Sequence, residues 1–228
     1  KNNFNKKESE INVTSKLNEL FAKSSYDLIK DKENYDEGSI IEFKKKEGIN
    51  SNKKIILFIG DPGELYNSKE QKYYEELDLL KALKDQDKYF LIIKVHPSDT
   101  SDLSNLALDQ SNNKNAMVSK DINIYECMKA CDVVISKSST AVLEAMILKK
   151  FILLYNVVSH NLYKKAVDYG LASYIDNEND ILSLLNKKDN QMEDFEVKMH
   201  KYFEEVYSSN NKNDEDIKKI LKRILNNE

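Results

Sequence analysis

The sequence predicts an α/β domain built on a Rossmann-like, doubly wound parallel sheet of about six strands. Three observations predict it. Short apolar runs alternate along the chain with segments of helical periodicity. Runs such as Ile55–Gly60 and Tyr89–Val95 lack polar alternation, which marks strands buried on both faces. Turn-forming residues close these runs, Asp61-Pro62-Gly63 after the first and His96-Pro97 after the second. Strands and helices that alternate in this way form parallel sheets through right-handed crossovers, with helices on both faces.

Residues 1–53 read as an N-terminal extension and interdomain linker. Within them Ile11–Ala22 has Leu17, Leu20 and Phe21 on one helical face, and Ile40–Gly48 reads as a short helix stopped by Gly48. The Rossmann-like domain is expected over 54–190. Its first strand is Ile55–Gly60. Ser68–Lys84 follows as a helix with Leu77, Leu80 and Leu83 on one face. Tyr89–Val95 is the second strand, Asp102–Leu108 a short helix and Ala116–Ser119 the third strand. Ile122–Cys131 is a helix, Asp132–Ser136 a strand, Ser139–Lys149 a helix and Phe151–Tyr155 a strand. Leu162–Tyr169 is a helix that Gly170 caps, because glycine accepts the left-handed conformation a helix end needs. Ser173–Ile175 is the sixth strand, and Ile181–Leu185 opens another helix. Residues 191–228 hold two further helices, Met192–Tyr207 and Asp216–Leu225, expected to pack on the domain.

Composition excludes several classes. The 228 residues carry 35 Lys plus Arg against 39 Asp plus Glu, a net charge of -4. No global field draws such a chain to nucleic acid. Two Cys build no disulfide framework, so a reduced cytoplasmic setting is the natural reading. No apolar run approaches the roughly 20 residues that span a bilayer.

In an open parallel sheet, ligands bind beyond the carboxyl ends of the strands. Four turns occupy that edge: Gly60-Asp61-Pro62-Gly63, His96-Pro97-Ser98, Ser119-Lys120-Asp121 and Ser136-Lys137-Ser138-Ser139-Thr140. The fourth is the strongest signal. Ser138, Ser139 and Thr140 stand where a strand becomes a helix, and a helix start offers backbone N–H groups and positive partial charge to a phosphate. Plain helix capping is the bland alternative. His96 is the second signal: one of three His, it sits where a buried strand emerges, with Pro97 holding the backbone. An imidazole there donates to a leaving diphosphate, or else simply fills a loop. Glu144, more than a turn into the following helix, is placed to face a sugar hydroxyl or to lie on the solvated face.

Other matches carry less. Asp85-Gln86-Asp87 precedes a strand, at the wrong sheet edge for a metal site. Cys127 and Cys131 lie one helical turn apart without further ligands. Gly60-Asp61-Pro62-Gly63 fits neither the dinucleotide fingerprint nor the Walker pattern.

Lys94-Val95-His96-Pro97, followed by the stretch Asp132–Met146, resembles the C-terminal half of GT-B glycosyltransferases. The nearest group holds CDP-glycerol glycerophosphotransferases, bacterial polysialyltransferases and related capsule enzymes. Phe43–Ile49 with Lys53–Phe58 is similar to the entry into that half, so the resemblance covers roughly 40–190. It implies that His96 contacts the donor phosphates as the catalytic residue. Ser139 and Thr140 match the family's paired phosphate-binding hydroxyls, and Ser138, from the hydroxyl run, and Lys94 are counted with them as nucleotide- or phosphate-binding residues. Ser119 and Lys120 would receive the base, and Glu144 would face the donor sugar. Lys137 and Ser138 stand where some relatives have an acidic–aromatic pair.

The implied activity is transfer of a sugar or polyol phosphate from a CDP-, CMP- or UDP-type donor to a surface glycan or teichoic-acid-like acceptor. No metal and no further cofactor is implied, because cationic side chains and a helix end neutralise the leaving phosphates. The location implied is the cytoplasm or the inner face of the membrane, with peripheral attachment through regions outside this sequence. GT-B enzymes have two such domains, and the expectation here is the donor half alone. A UDP-N-acetylglucosamine 2-epimerase-like enzyme is the alternative, though Asp61-Pro62-Gly63-Glu64 stands where those enzymes carry a His-Arg-Glu-Asn-like stretch. A non-catalytic Rossmann-like module is the third reading.

Overall fold

Successive residues of a strand point to opposite faces, so an unbroken apolar run supplies two helix layers at once. The computed structural model of the chain describes residues 36–60, 69–137, 139–155, 163–177, 179–186 and 192–207. The expected helices at Ile11–Ala22 and Asp216–Leu225, the Asp61-Pro62-Gly63-Glu64 turn and Ser138 lie outside them.

The described elements run α1 (Glu37–Lys46), β1 (Lys54–Ile59), α2 (Lys69–Leu83), β2 (Tyr89–Lys94), α3 (Leu103–Ser111), β3 (Ala116–Ser119) and α4 (Ile124–Ala130). They continue as β4 (Val133–Ser136), α5 (Ala141–Ile147), β5 (Phe151–Tyr155), α6 (Lys164–Asp168), β6 (Ser173–Ile175), α7 (Asn179–Asn186) and α8 (Phe195–Tyr207). The six strands are all parallel, in the order β3-β2-β1-β4-β5-β6. That is the doubly wound order, and its switch point lies between β1 and β4.

Alternation within the strands divides the core. Ile55, Leu57, Ile92, Val134, Ile152 and Leu154 face a layer containing Phe43, Met128, Val142, Met146, Met199 and Phe203. Ile56, Phe58, Leu91, Ile93, Ile135 and Leu153 face the other layer, with Leu77, Leu80, Leu83, Ala107, Ile181 and Leu185. Each fully buried Leu, Ile or Phe stabilises the fold by about 1.5–3 kcal/mol relative to exposure.

Local chemistry sets the element ends. The Asp36 carboxylate accepts from the Ser39 N–H at 2.9 Å, so α1 begins three residues before the expected Ile40. Gly48 and Gly170 both adopt positive φ, 70° and 72°, and end α1 and α6 as the sequence predicts. No described helix is long and apolar enough to cross a membrane.

Candidate functional site

Strand register brings the signalled turns to one edge. Ile59 is level with Lys94 on one side and Ser136 on the other, and Lys94 is level with Ser119. The chains leaving β2, β3 and β4 therefore emerge side by side. The tips of β2 and β4 flank β1, two strand spacings or about 10 Å apart. Gly60 fits between them: its N–H donates to Lys94 O at 3.0 Å, and a Cβ there would lie 3.3 Å from that same oxygen.

His96 is half-buried at the tip of β2. Its Nδ1 accepts the Ser98 N–H at 3.2 Å and lies 2.7 Å from Ser98 Oγ. An Nδ1 that accepts a backbone N–H leaves the neutral ring's proton on Nε2. The Asp99 N–H donates to His96 O at 2.9 Å, which closes the turn.

Lys94 is buried, and its Nζ donates to Val95 O at 3.1 Å and Lys120 O at 2.7 Å. Burial pushes its ammonium below the usual lysine range. These two bonds join the tips of β2 and β3, a placement the phosphate-binding expectation did not contain. Lys120 is exposed and donates to Asp99 O at 2.9 Å, and Ser119 Oγ accepts from the Ile122 N–H at 3.1 Å.

Beyond β4, the helix begins at Ala141, two residues later than Ser139. Ser139 is half-buried, and its Oγ accepts from the Ala141 N–H at 3.3 Å. Thr140 is exposed at the N-cap in a helical conformation, and its side chain makes no capping bond. The Val142 and Leu143 N–H groups turn back to Ser139 O and Thr140 O, at 3.2 and 3.0 Å. The first amides of this helix are thus held in a tight first turn. The later start places Glu144 inside the first turn, half-buried, rather than more than a turn along. A carboxylate there is favoured by the helix dipole.

Sequence reasoning missed two features. Tyr163, buried before α6, donates its hydroxyl to Ser139 O at 2.6 Å and pins the turn from the far side. The second is a buried ionic cluster on α2. Lys137, immediately after β4, donates to Glu75 Oε2 at 2.6 Å, and both residues are buried. Lys72 pairs with Asp99 and lies 3.7 Å from Glu76 Oε1. Burial pushes the Glu76 carboxyl up, against the opposing pull of Lys72. Burial would also raise Asp99, but bonds from Lys72 and Ser101 outweigh it and hold that carboxyl at about 2. The available signal was Lys72 and Glu76 at i,i+4 on the apolar side of a helix.

Among the described residues no His, Cys, Asp and Glu group is arranged to hold a metal ion. Cys127 and Cys131 are buried thiols, and burial pushes Cys127 up, away from ligand chemistry. Asp85-Gln86-Asp87 lies between α2 and β2, at the amino edge of the sheet.

No protein-family model matches this chain, and no curated protein sequence matches it. Solved structures do. The wall teichoic acid polymerase TagF matches with a TM-score of 0.53 and 20% identity, over 83% of this chain and 48% of TagF. UDP-GlcNAc 2-epimerase from Neisseria meningitidis, bound to UDP-GlcNAc, matches with a TM-score of 0.53 and 17% identity, over 78% and 46%. The fold is GT-B-like. The glycotransferase of kitacinnamycin shares it with a TM-score of 0.50 and 12% identity, over 67% of this chain and 40% of its own. The chain spans under half the length of these relatives.

Proposed function

We propose that this chain is the donor-binding part of a GT-B-type transferase. It takes a nucleotide-activated sugar or polyol phosphate and serves a glycan or teichoic-acid-like acceptor. One observation carries the reading: an imidazole with its proton on Nε2 and a hydroxyl-bearing turn stand on the same sheet edge, on either side of the switch point. A nucleoside diphosphate tail is an anion of the right length to lie between them.

In this reading His96 Nε2–H donates to a phosphate oxygen of the leaving nucleotide as its bond to the transferred group breaks. The charge that develops on that oxygen is met by a fixed donor. Ser138, Ser139 and Thr140 hold the phosphates through hydroxyls. Ser119 and Lys120, at the tip of β3, receive the base, and Glu144 faces the transferred group. Lys94 contributes by joining the strand tips. The reaction takes place in the cytoplasm or at the inner membrane face.

Calorimetric titration with CMP, CDP, UDP and GDP tests the proposal. A few charge-assisted contacts give about 4–7 kcal/mol, or dissociation constants from millimolar to about ten micromolar. Saturable binding of at least one, weakened in His96→Ala, is the expected result. Equal indifference to all four nucleotides sinks the proposal.

A further inference from the structure

We propose that Lys72 is a positioning residue for His96, acting through Asp99. This deepens the donor-binding reading and rests on it for its consequence, though not for its test. The strip Lys72, Glu75 and Glu76 on α2 carries the buried charges of this helix. Lys72 ends on Asp99, in the turn that follows β2. Glu75 ends on Lys137, the first residue after β4. One helical turn therefore grips both strand tips that flank the switch point.

Asp99 is the hub of the His96 turn. Its Oδ1 accepts from Ser101 N at 2.8 Å and Ser101 Oγ at 2.7 Å, while Oδ2 takes Lys72. Its N–H donates to His96 O, and its own carbonyl accepts from Lys120. Anchored this way, the turn presents the Ser98 N–H to His96 Nδ1. That contact selects which ring nitrogen keeps the proton.

The energetics fit a positioning role better than a stabilising one. Burying a charge pair gains little over packing apolar groups of similar volume, because desolvation offsets the attraction. Apart from the longer Lys72–Glu76 contact within the same cluster, described ion pairs such as Lys46–Glu126, Lys164–Asp168 and Lys165–Glu205 are exposed. The two buried contacts of under 3 Å both end on the candidate site's edge.

The test reads the His96 ring in the ligand-free chain by long-range proton–nitrogen NMR, assigned by its loss in His96→Gln. At a pH where the ring is neutral, the parent shows the Nε2–H tautomer. Lys72→Met keeps the side chain's length and removes its charge. It is expected to shift His96 to a mixture of tautomers and to weaken CDP or UDP binding at least fivefold, with Lys72→Arg restoring both. A folded Lys72→Met with an unchanged His96 signature overturns the proposal. Should that variant not fold, Asp99→Asn removes the carboxylate charge that Lys72 binds while keeping the side chain's shape, and its His96 signature decides in the same way. A shifted tautomer with no nucleotide bound by the parent supports the positioning role and removes the donor-binding reading instead.

Discussion

Lys137 and Glu75 meet at 2.6 Å across the interface of β4 and α2, with side chains only 4% and 9% exposed. The pair ties the turn that precedes Ser139 to a helix from the other half of the sheet. Removing one side chain leaves the other's buried charge without its counterion at 2.6 Å. Glu75→Ala is therefore expected to lower stability by about 3–5 kcal/mol. Glu75→Leu combined with Lys137→Met is expected to lie within about 1 kcal/mol of the parent. Urea unfolding of the three proteins checks both values, and a single variant as stable as the parent refutes the account.

Glu76 carries buried oxygens without hydrogen-bond partners among the described residues. Its folded carboxyl lies above the ordinary value of 4.5. A raised carboxyl binds more protons folded than unfolded, so its contribution is complete below about 4.5 and fades as pH rises through the folded value. Glu76→Gln is expected to remove that fall. The melting temperatures of parent and variant, compared at pH 5 and pH 8, should converge at the lower pH and favour the variant at the higher.

Asp99 titrates in the opposite sense. Its carboxyl is held down to about 2 from an ordinary 3.8. The stability it contributes, about 2 kcal/mol, is present above pH 4 and is lost as pH falls toward 2. In Asp99→Asn the acid limb of the stability curve should flatten by that amount. An acid limb identical to the parent's contradicts the assignment.

His96→Ala and Ser139→Ala act on the candidate site itself. Each is expected to weaken nucleotide binding about tenfold, the loss of one charge-assisted or hydroxyl contact. The His96 ring is half-buried and the Ser139–Ala141 bond is long at 3.3 Å, so melting temperatures should move little. Calorimetry paired with thermal melts separates the two effects. Unaltered binding in both variants removes these residues from the site.

The strands and their turns were legible because unbroken apolar runs such as Phe151–Tyr155 have few alternatives in an α/β pattern. Three strands, Ala116–Ser119, Phe151–Tyr155 and Ser173–Ile175, match their expected limits. Helix ends were less legible. Asp36 draws α1 forward by capping, while Ser139 and Thr140 delay α5. A hydroxyl at a helix start reads the same whether or not it bonds an N–H, since that depends on backbone angles.

Lys94 shows the same limit from another side. In the sequence a lysine at the end of a strand reads as a phosphate ligand, and its bonds to neighbouring strand tips are not visible. Here two carbonyls from adjacent strand tips take its ammonium. Tyr163, Glu75 and Lys72 carried no visible link to the site, because their partners lie 24, 62 and 27 positions away.

Residue order alone determined the layered α/β architecture, the apolar faces of its strands, and the set of turns gathered at one sheet edge. Those properties follow from periodicity and from the direction a parallel strand must run. Only the tertiary structure decided which charges are buried together, which nitrogen of His96 keeps its proton, and which amides of α5 are occupied. The buried charges depend on contacts between distant segments, and the His96 and α5 bonds on backbone angles within their turns, where a few tenths of an ångström separate a hydrogen bond from a mere neighbour.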